Sequence, residues 1–298
     1  MVKANRYLKH QQVRVFKHIK SGQYDKSLNI MSYLVQRSFS YKVLWLNRVI
    51  KGWYHSITIM DLQKIISKLD RIIKNVDGNL SSRRVYIPKP DGRKRPQGVP
   101  TLEWRVYINM WLSYIYMMVD GKFPDWQHGF YPKRGVLTCW KQVKSLLEEN
   151  GINNVYEFDL KGYFNNVNLD TVRIALIYYG IPEPLANYIT LINTSLPENE
   201  YVDFEENDPE LGIRAIGWPE MLTQWKPWNS QRNYNTNEVV QKTGMPQGLP
   251  WSPLLSLLMM SYMVKRVGID ETKLVMYADD GLVICKSRSE LESIIKKN

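Results

Sequence analysis

The sequence predicts an α+β fold in which helices lie on one face of a small antiparallel sheet. Two observations support this class. Long stretches of the 298-residue chain repeat apolar residues at helical spacing. Its short apolar runs come in pairs around turn residues, as the strands of antiparallel hairpins do. With 44% hydrophobic and 12% aromatic residues, the chain can build a buried core and is not disordered.

The first half of the chain is predicted to be mostly helical, with one hairpin. Leu28, Met31 and Leu34 illustrate the helical spacing, and the turn-forming Pro90-Asp91-Gly92 lies between two short strands and gives the hairpin a basic tip. In chain order, the predicted elements are helices at 7–20, 27–51 and 58–75 (ended by Asp77-Gly78), strands at 83–88 and 97–100, and helices at 101–119 and 135–149.

The second half alternates strands and helices. An acidic segment followed by several tryptophans, at about 196–238, is predicted to be an irregular surface insertion. In chain order, the predicted elements are a strand at 155–160 that ends at Lys161-Gly162, helices at 169–179, 183–195 and 253–265, strands at 273–277 and 281–285, and a charged helix from 287 onwards.

Charge is unevenly distributed along the chain. The net charge is +11, and residues 1–51 contain eleven Lys and Arg against a single acid, Asp25. A charge run is usually a solvated face, but such one-sidedness in an aromatic-bearing segment favours contacts with phosphate groups. The partner is therefore expected to be polyanionic, either nucleic acid or anionic lipid.

Several classes of protein are excluded or disfavoured. The two cysteines, Cys139 and Cys285, match no zinc spacing and cannot form a disulfide framework. No window reaches the ~18 consecutive apolar residues of a membrane span. The basic, acid-poor start of the chain leaves two interpretations open, a helical arm of the folded protein or an organelle presequence.

The strongest chemical signal is a group of three acids. Asp279 and Asp280 lie between two apolar strands, and Asp159 ends an earlier strand. Adjacent carboxylates repel each other unless a cation neutralises them. Two strand ends that present acids can hold two Mg²⁺ ions ~3.5–4 Å apart, the arrangement used for phosphoryl transfer. The alternative for Asp159 is a helix cap at the end of its strand.

These residues lie in segments that resemble a known family. Phe158–Phe164, Gly244–Leu254 and Tyr277–Asp280 look like palm motifs A, B and C of reverse transcriptases, in that order. Arg84–Pro100 resembles the fingertip segment of the enzymes encoded by group II introns, and Leu34–Lys42 loosely resembles their N-terminal extension. The sequence is thereby identified as similar to group II intron reverse transcriptases, also called maturases, over residues ~30–286.

A further segment, His128–Gly135, is similar to another stretch of that subgroup but departs from it at two positions. Tyr131 replaces an arginine, and Lys133 replaces a glycine.

The resemblance implies roles for individual residues. Asp159, Asp279 and Asp280 would bind two Mg²⁺ ions (or Mn²⁺), together with the backbone carbonyl of Leu160. Phe164 would lie under the incoming sugar and exclude a 2′-hydroxyl, which favours dNTPs. By itself, Phe164 could equally be a core aromatic.

The remaining implied roles concern the nucleotide. Lys89 and Arg95 would contact the triphosphate from the hairpin, although basic hairpin tips are often only solvated turns. Gln247 and Gly248 would lie against nucleotide and template, with glycine permitting close backbone approach. An ordinary turn glycine is the alternative for Gly248.

The resemblance also predicts a right-hand polymerase architecture. A helical, basic N-terminal extension would cover residues 1–76, fingers 77–155 and palm 156–298, with the insertion inside the palm. The chain ends soon after the last predicted hairpin, so no thumb is expected within it. Three explanations remain open: a split enzyme completed by a second polypeptide, a truncated or degenerate copy, or a portion of a longer chain.

Two functions therefore compete. The first is an RNA-directed DNA polymerase that binds RNA template, DNA primer and dNTP. The second is a catalytically idle RNA-binding protein that assists intron splicing through its basic N-terminal third. An RNA polymerase is a more distant third. The expected location is a mitochondrial matrix or a bacterial cytoplasm, without membrane attachment.

Overall fold

The computed structural model describes residues 2–50, 58–74, 80–88, 92, 94–150, 154–160, 163–193 and 245–296. Several features predicted from the sequence lie outside these residues, namely the Asp77-Gly78 helix end, Lys89 and the adjacent Pro90-Asp91, Lys161-Gly162, and the insertion at about 196–238.

Helices account for most of the described chain. In chain order they are α1 (Val2–Lys20), α2 (Tyr24–Arg37), α3 (Phe39–Val49), α4 (Ile59–Lys74), α5 (Leu102–Val119), α6 (Val136–Asn150), α7 (Tyr163–Asn166), α8 (Leu169–Tyr178), α9 (Glu183–Asn193), α10 (Ser252–Val267) and α11 (Arg288–Lys296). The predicted helices are confirmed except for the one at 27–51, and α1 begins earlier than expected. The short helix α7 has too few residues to show a periodic pattern and was not predicted.

The single helix predicted over 27–51 is wrong, because the chain forms two helices there. Ser38 has an extended backbone (φ −85°, ψ 102°) and its side chain accepts a hydrogen bond from the Tyr41 amide, so it caps α3. The apolar spacing continues across this break, which is why periodicity alone joined the two helices.

The core of the N-terminal half is built around α5, which is buried on nearly all sides. Helices α1, α2, α3 and α4 all contact it. Two buried polar contacts fix its orientation: Tyr114 Oη lies 2.7 Å from Ser27 Oγ of α2, and Tyr41 Oη lies 3.0 Å from Ser113 Oγ. The basic N-terminal helices are thus held on α5 by a continuous core.

The predicted hairpin forms. Strands β1 (Ser82–Pro88) and β2 (Lys94–Pro100) pair antiparallel, with Arg84 opposite Gly98 and Ile87 opposite Arg95. Gly92 in the connection has a φ of +83°, the left-handed conformation that turns often require.

A second, three-stranded antiparallel sheet has the order β3-β5-β4, with β3 at Asn154–Asp159, β4 at Leu274–Tyr277 and β5 at Asp280–Cys285. The α+β class is confirmed. The expectation that helices cover one face of the sheet is wrong, because apolar side chains on both faces are packed. Met276 and Val283 face α10, whereas Val275 and Ile284 face α6.

No helix in the described part of the chain combines the length and apolar character needed to cross a bilayer.

Candidate active site

Two acidic residues face each other across β3 and β5. Asp159, the last residue of β3, is the register partner of Asp280, the first residue of β5. Directly opposed residues of an antiparallel pair project from the same face, with Cα atoms about 4.5–5.5 Å apart. Glu157, two residues before Asp159, shares this face. The strand register therefore brings two of the three predicted carboxylates together.

Asp279 lies at the adjacent turn. Tyr277 and Asp280 are register partners, so Ala278 and Asp279 form a two-residue loop between β4 and β5. Ala278 has a φ of +58°, whereas Asp279 does not have a positive φ. A positive φ at the first loop residue alone is the pattern of a type II′ turn, a position that favours glycine. Alanine is strained there, so other contacts must hold it.

Negative charge accumulates at this end of the sheet. The pKa of Asp280 is raised, first by burial and then by repulsion from the carboxylates of Asp279, Asp159 and Glu157. Burial, followed by the nearby charge of Asp279, also raises the pKa of the Tyr163 hydroxyl above its usual range. The charges of Asp159 and Asp279 thus act on the Asp280 carboxyl group.

This donor set fits a hard divalent cation. Mg²⁺ prefers oxygen ligands, often only one or two carboxylates completed by water and substrate phosphate, and a cation would relieve the repulsion at Asp280. Among the described residues, no three acidic, cysteine or histidine side chains already converge as a ligand cluster. The carbonyl of Leu160 accepts a hydrogen bond from the Tyr163 amide at 3.0 Å, which leaves its second lone pair available.

Phe164, in α7, contacts the loop that precedes α10. Its carbonyl accepts a hydrogen bond from the Met245 amide at 2.7 Å. Its ring is half-buried and meets the Tyr163 ring edge-on, with centroids 5.7 Å apart. The Tyr163 hydroxyl in turn donates to the carbonyl of Ser256 in α10 at 2.6 Å. Phe164 is therefore held between two anchored elements.

The β1–β2 hairpin touches the same loop. The Gly98 amide of β2 donates to the Gln247 carbonyl at 2.7 Å. Gly248 has a φ of +109°, and a Cβ there would lie 2.6 Å from the Gly98 carbonyl oxygen. Glycine is thus required at 248 both by the backbone conformation and by the closeness of the hairpin. The sequence analysis predicted that the Gly248 backbone would lie close to nucleotide and template. The close contact with Gly98 of the hairpin was not predicted.

The two basic residues predicted on the hairpin have different outcomes. Arg95 is exposed on β2, three residues before Gly98. Lys89 lies outside the described residues.

One contact at the turn was not predicted. The side chain of Gln127 forms hydrogen bonds to both the backbone amide and the backbone carbonyl of Ala278. The family-like segment His128–Gly135 begins one residue after Gln127. No helical or strand periodicity distinguishes Gln127 from its neighbours.

An acidic strand end beside an acidic turn supplies the kind of carboxylate ligands that two-metal phosphoryl-transfer sites use. Residues 87–297 match the family model described as reverse transcriptase (RNA-dependent DNA polymerase). This match covers more than half of the chain, which therefore belongs to the reverse transcriptase family.

Two curated relatives refine the assignment. The chain is 36% identical over 118 residues to Protein YkfC of Escherichia coli (strain K12), a match that covers 38% of this chain and 30% of the relative. It is 35% identical over 124 residues to Group II intron-encoded protein LtrA of Lactococcus lactis subsp. cremoris, covering 39% of this chain and 20% of the relative. The resemblance to group II-type reverse transcriptases is confirmed. The matched region spans less than a third of either relative.

Two solved structures are similar over a larger part of the chain. A chain of the partial Cas6-RT-Cas1–Cas2 complex has a TM-score of 0.42 at 14% identity and is matched over 90% of this chain and 41% of its own length. A chain of the Cas6-RT-Cas1–Cas2 complex has the same TM-score and identity over 90% of this chain and 26% of its own length.

Proposed function

We propose that the chain provides the fingers and palm of an RNA-directed DNA polymerase that joins dNTPs to a DNA primer on an RNA template. One observation carries the proposal: the register that opposes Asp159 and Asp280, with Asp279 in the adjoining turn. Membership of the reverse transcriptase family supports it. In this scheme residues 1–76 form a basic extension, 77–155 the fingers and 156–298 the palm.

Asp159, Asp279 and Asp280, with the Leu160 carbonyl, are the residues that would hold two Mg²⁺ ions, or Mn²⁺ in their place. When bound, such ions lower the pKa of an attacking hydroxyl and neutralise a leaving pyrophosphate. The repulsion that raises the pKa of Asp280 is the observation on this chain that favours cation binding at these residues.

The neighbouring residues would bind and orient the nucleotide. Phe164 excludes a ribose 2′-hydroxyl by its size, and its fixed backbone keeps the ring in place. Arg95 and Lys89 match the charge of the triphosphate. The Gln247-Gly248 loop joins the hairpin to the palm, so the same junction would present template and nucleotide to the carboxylates.

The partners follow from the same proposal. RNA template, DNA primer and dNTP are the proposed substrates, and intron RNA is a further proposed partner. The proposed location is a bacterial cytoplasm or a mitochondrial matrix.

A second candidate is a catalytically idle RNA-binding protein that assists splicing. The observation that favours it is the concentration of basic residues in positions 1–51.

Primer extension with Mg²⁺ and an RNA template separates the two candidates. The wild type should extend, and Asp279→Ala should lower kcat by at least about 100-fold, as expected for the loss of an interaction at the reacting phosphate. Asp120→Asn, an exposed acid paired with Lys20, serves as the matched control and should remain active. A wild type that binds RNA but fails to extend, with and without a thumb-bearing partner, would favour the idle protein.

A further inference from the structure

The side-chain amide of Gln127 is bonded to the backbone of the acidic turn. Its Oε1 accepts from the Ala278 amide at 3.1 Å, and its Nε2 donates to the Ala278 carbonyl at 3.0 Å. The same Oε1 accepts from the Gly129 amide at 3.0 Å. Gln127 is 0% exposed. A carboxamide is suited to this task because it offers an acceptor and a donor side by side.

Gln127 is itself fixed by its surroundings. Gln127 forms a parallel bridge with Met276 of β4. The Met276 amide donates to the Trp126 carbonyl at 2.7 Å, and the His128 amide donates to the Met276 carbonyl at 2.8 Å. Arg134 donates to the Gln127 carbonyl at 2.8 Å. The segment therefore forms a rigid edge beside β4, and the amide that reaches the turn cannot shift independently of it.

Space around the turn is also restricted. A Cβ at Gly129 would lie 2.4 Å from the Ala278 amide nitrogen, so only glycine allows the segment to approach this closely. Ala278 adopts its positive φ in a conformation that alanine disfavours. The bonds from Gln127 to both sides of this residue are the interactions that hold the strained conformation.

We propose that Gln127 is a positioning residue that fixes the backbone of Ala278 and so determines where Asp279 and Asp280 present their carboxylates. This inference rests on the proposed function. Gln127 acts through the turn and does not touch substrate. Residues that orient metal-binding groups commonly change metal affinity or activity by about 10- to 100-fold when altered.

The first test compares Gln127→Met with wild-type full-length chain in primer extension. Methionine has a similar length and removes all three bonds. We expect kcat to fall by about 10- to 100-fold and the half-saturating Mg²⁺ concentration to rise, with little change in the KM for dNTP. In Gln127→Glu, kcat should fall further than in Gln127→Met. A carboxylate oxygen would replace the donor that faces the Ala278 carbonyl, and it would add negative charge beside Asp279.

The matched control is Asn193→Leu. Asn193 is another buried amide, and among the described residues its hydrogen bond goes to Ile189 of its own helix. Its replacement should lower the melting temperature while leaving the Mg²⁺ dependence of extension unchanged. A Gln127→Met protein with wild-type kcat and Mg²⁺ dependence would overturn the inference.

A second measurement does not depend on polymerase activity. In the wild type, the Ala278 amide should exchange slowly with deuterium despite lying in a turn, because Gln127 accepts its bond. In Gln127→Met it should exchange faster. If the wild type extends no primer, the proposed function fails, and this exchange still decides the role of Gln127. Fast exchange at Ala278 in the wild type would contradict it.

Discussion

At the scale of single residues, Asp280 has a carboxyl group whose charged form is disfavoured by the fold, first through burial and then through charge repulsion. Its carboxylate is opposed by three other acids, which disfavour its charged form. A carboxyl group whose pKa is raised by folding destabilises the folded state at pH values above that pKa. The penalty disappears once the pH falls below the unfolded value of 3.8.

The first prediction concerns Asp280→Asn in the absence of divalent cations. At pH 7 the variant should melt above the wild type by about 1–2 °C, a small effect because Asp280 is exposed and screened by water. The difference should shrink as the pH falls through the raised pKa of Asp280. Thermal unfolding from pH 4 to 7 measures this. A variant less stable than the wild type at pH 7 would contradict the repulsion.

The second prediction concerns sugar selection. Phe164→Val should raise incorporation of NTPs relative to dNTPs by about 10- to 100-fold, because the smaller side chain leaves room for a 2′-hydroxyl. Parallel extension assays with NTPs and dNTPs give this ratio. Tyr163→Phe is the control, since it removes the bond to Ser256 without altering the ring at 164. An unchanged ratio in Phe164→Val would mean that Phe164 is only a core aromatic.

At the scale of elements, the main feature is the junction between the hairpin and the loop before α10. Gly98 and Gln247 share one backbone hydrogen bond, and Gly248 packs against Gly98. Because both residues at the closest approach are glycines, the two elements come nearer than any side chain would permit. The hairpin that carries Arg95 is therefore aligned with the loop before α10 by backbone contacts.

The third prediction tests this junction with Gly248→Ala. Its Cβ would meet the Gly98 carbonyl, so the hairpin must move, and we expect destabilisation by about 1–3 kcal/mol and a higher KM for dNTP. Urea unfolding and steady-state kinetics provide the readouts. Gly268→Ala is the matched control, because Gly268 also has a positive φ (+79°) but an open surrounding. It should lower stability without changing the KM.

A similar constraint operates inside the sheet. A Cβ on Gly281 would lie 2.2 Å from the Phe158 ring, which occupies the opposed position of β3. The Phe158 ring thus occupies the space that a side chain at position 281 would fill. This contact helps to align the strand ends that carry Asp159 and Asp280.

At the scale of the whole molecule, the basic residues are concentrated on helices that pack against α5. Lys9, Arg14 and Lys17 are exposed on α1, and few acids lie near them in sequence. Such an arrangement is suited to binding phosphates without reading bases.

The fourth prediction is that replacing Lys9, Arg14 and Lys17 by glutamine weakens RNA binding regardless of RNA sequence. With single-stranded RNA as the probe, the slope of log affinity against log salt should become shallower by about 0.7 for each phosphate that the variant no longer neutralises. Filter binding at several salt concentrations measures it. The matched control replaces the exposed Lys141, Lys144 and Lys286, which changes the net charge equally; an equal effect would assign the result to overall charge alone.

Much of this molecule was accessible from the sequence. The helices, the two hairpins and the order of the motifs were predicted because helical and strand periods are local properties of the chain. The break at Ser38 was missed because capping ends a helix without interrupting its apolar spacing. The covering of both sheet faces was missed because α6 and α10 reach the sheet from distant parts of the sequence.

By itself, the sequence determined the elements, the basic N-terminal region and the residue types of the acidic site. Only the tertiary structure decided that Asp159 opposes Asp280, that Gly248 packs on Gly98, and that Gln127 holds Ala278. Gln127 and Ala278 are 151 positions apart. Contacts across such separations depend on strand register and on the packing of whole elements, which no local pattern of residues records.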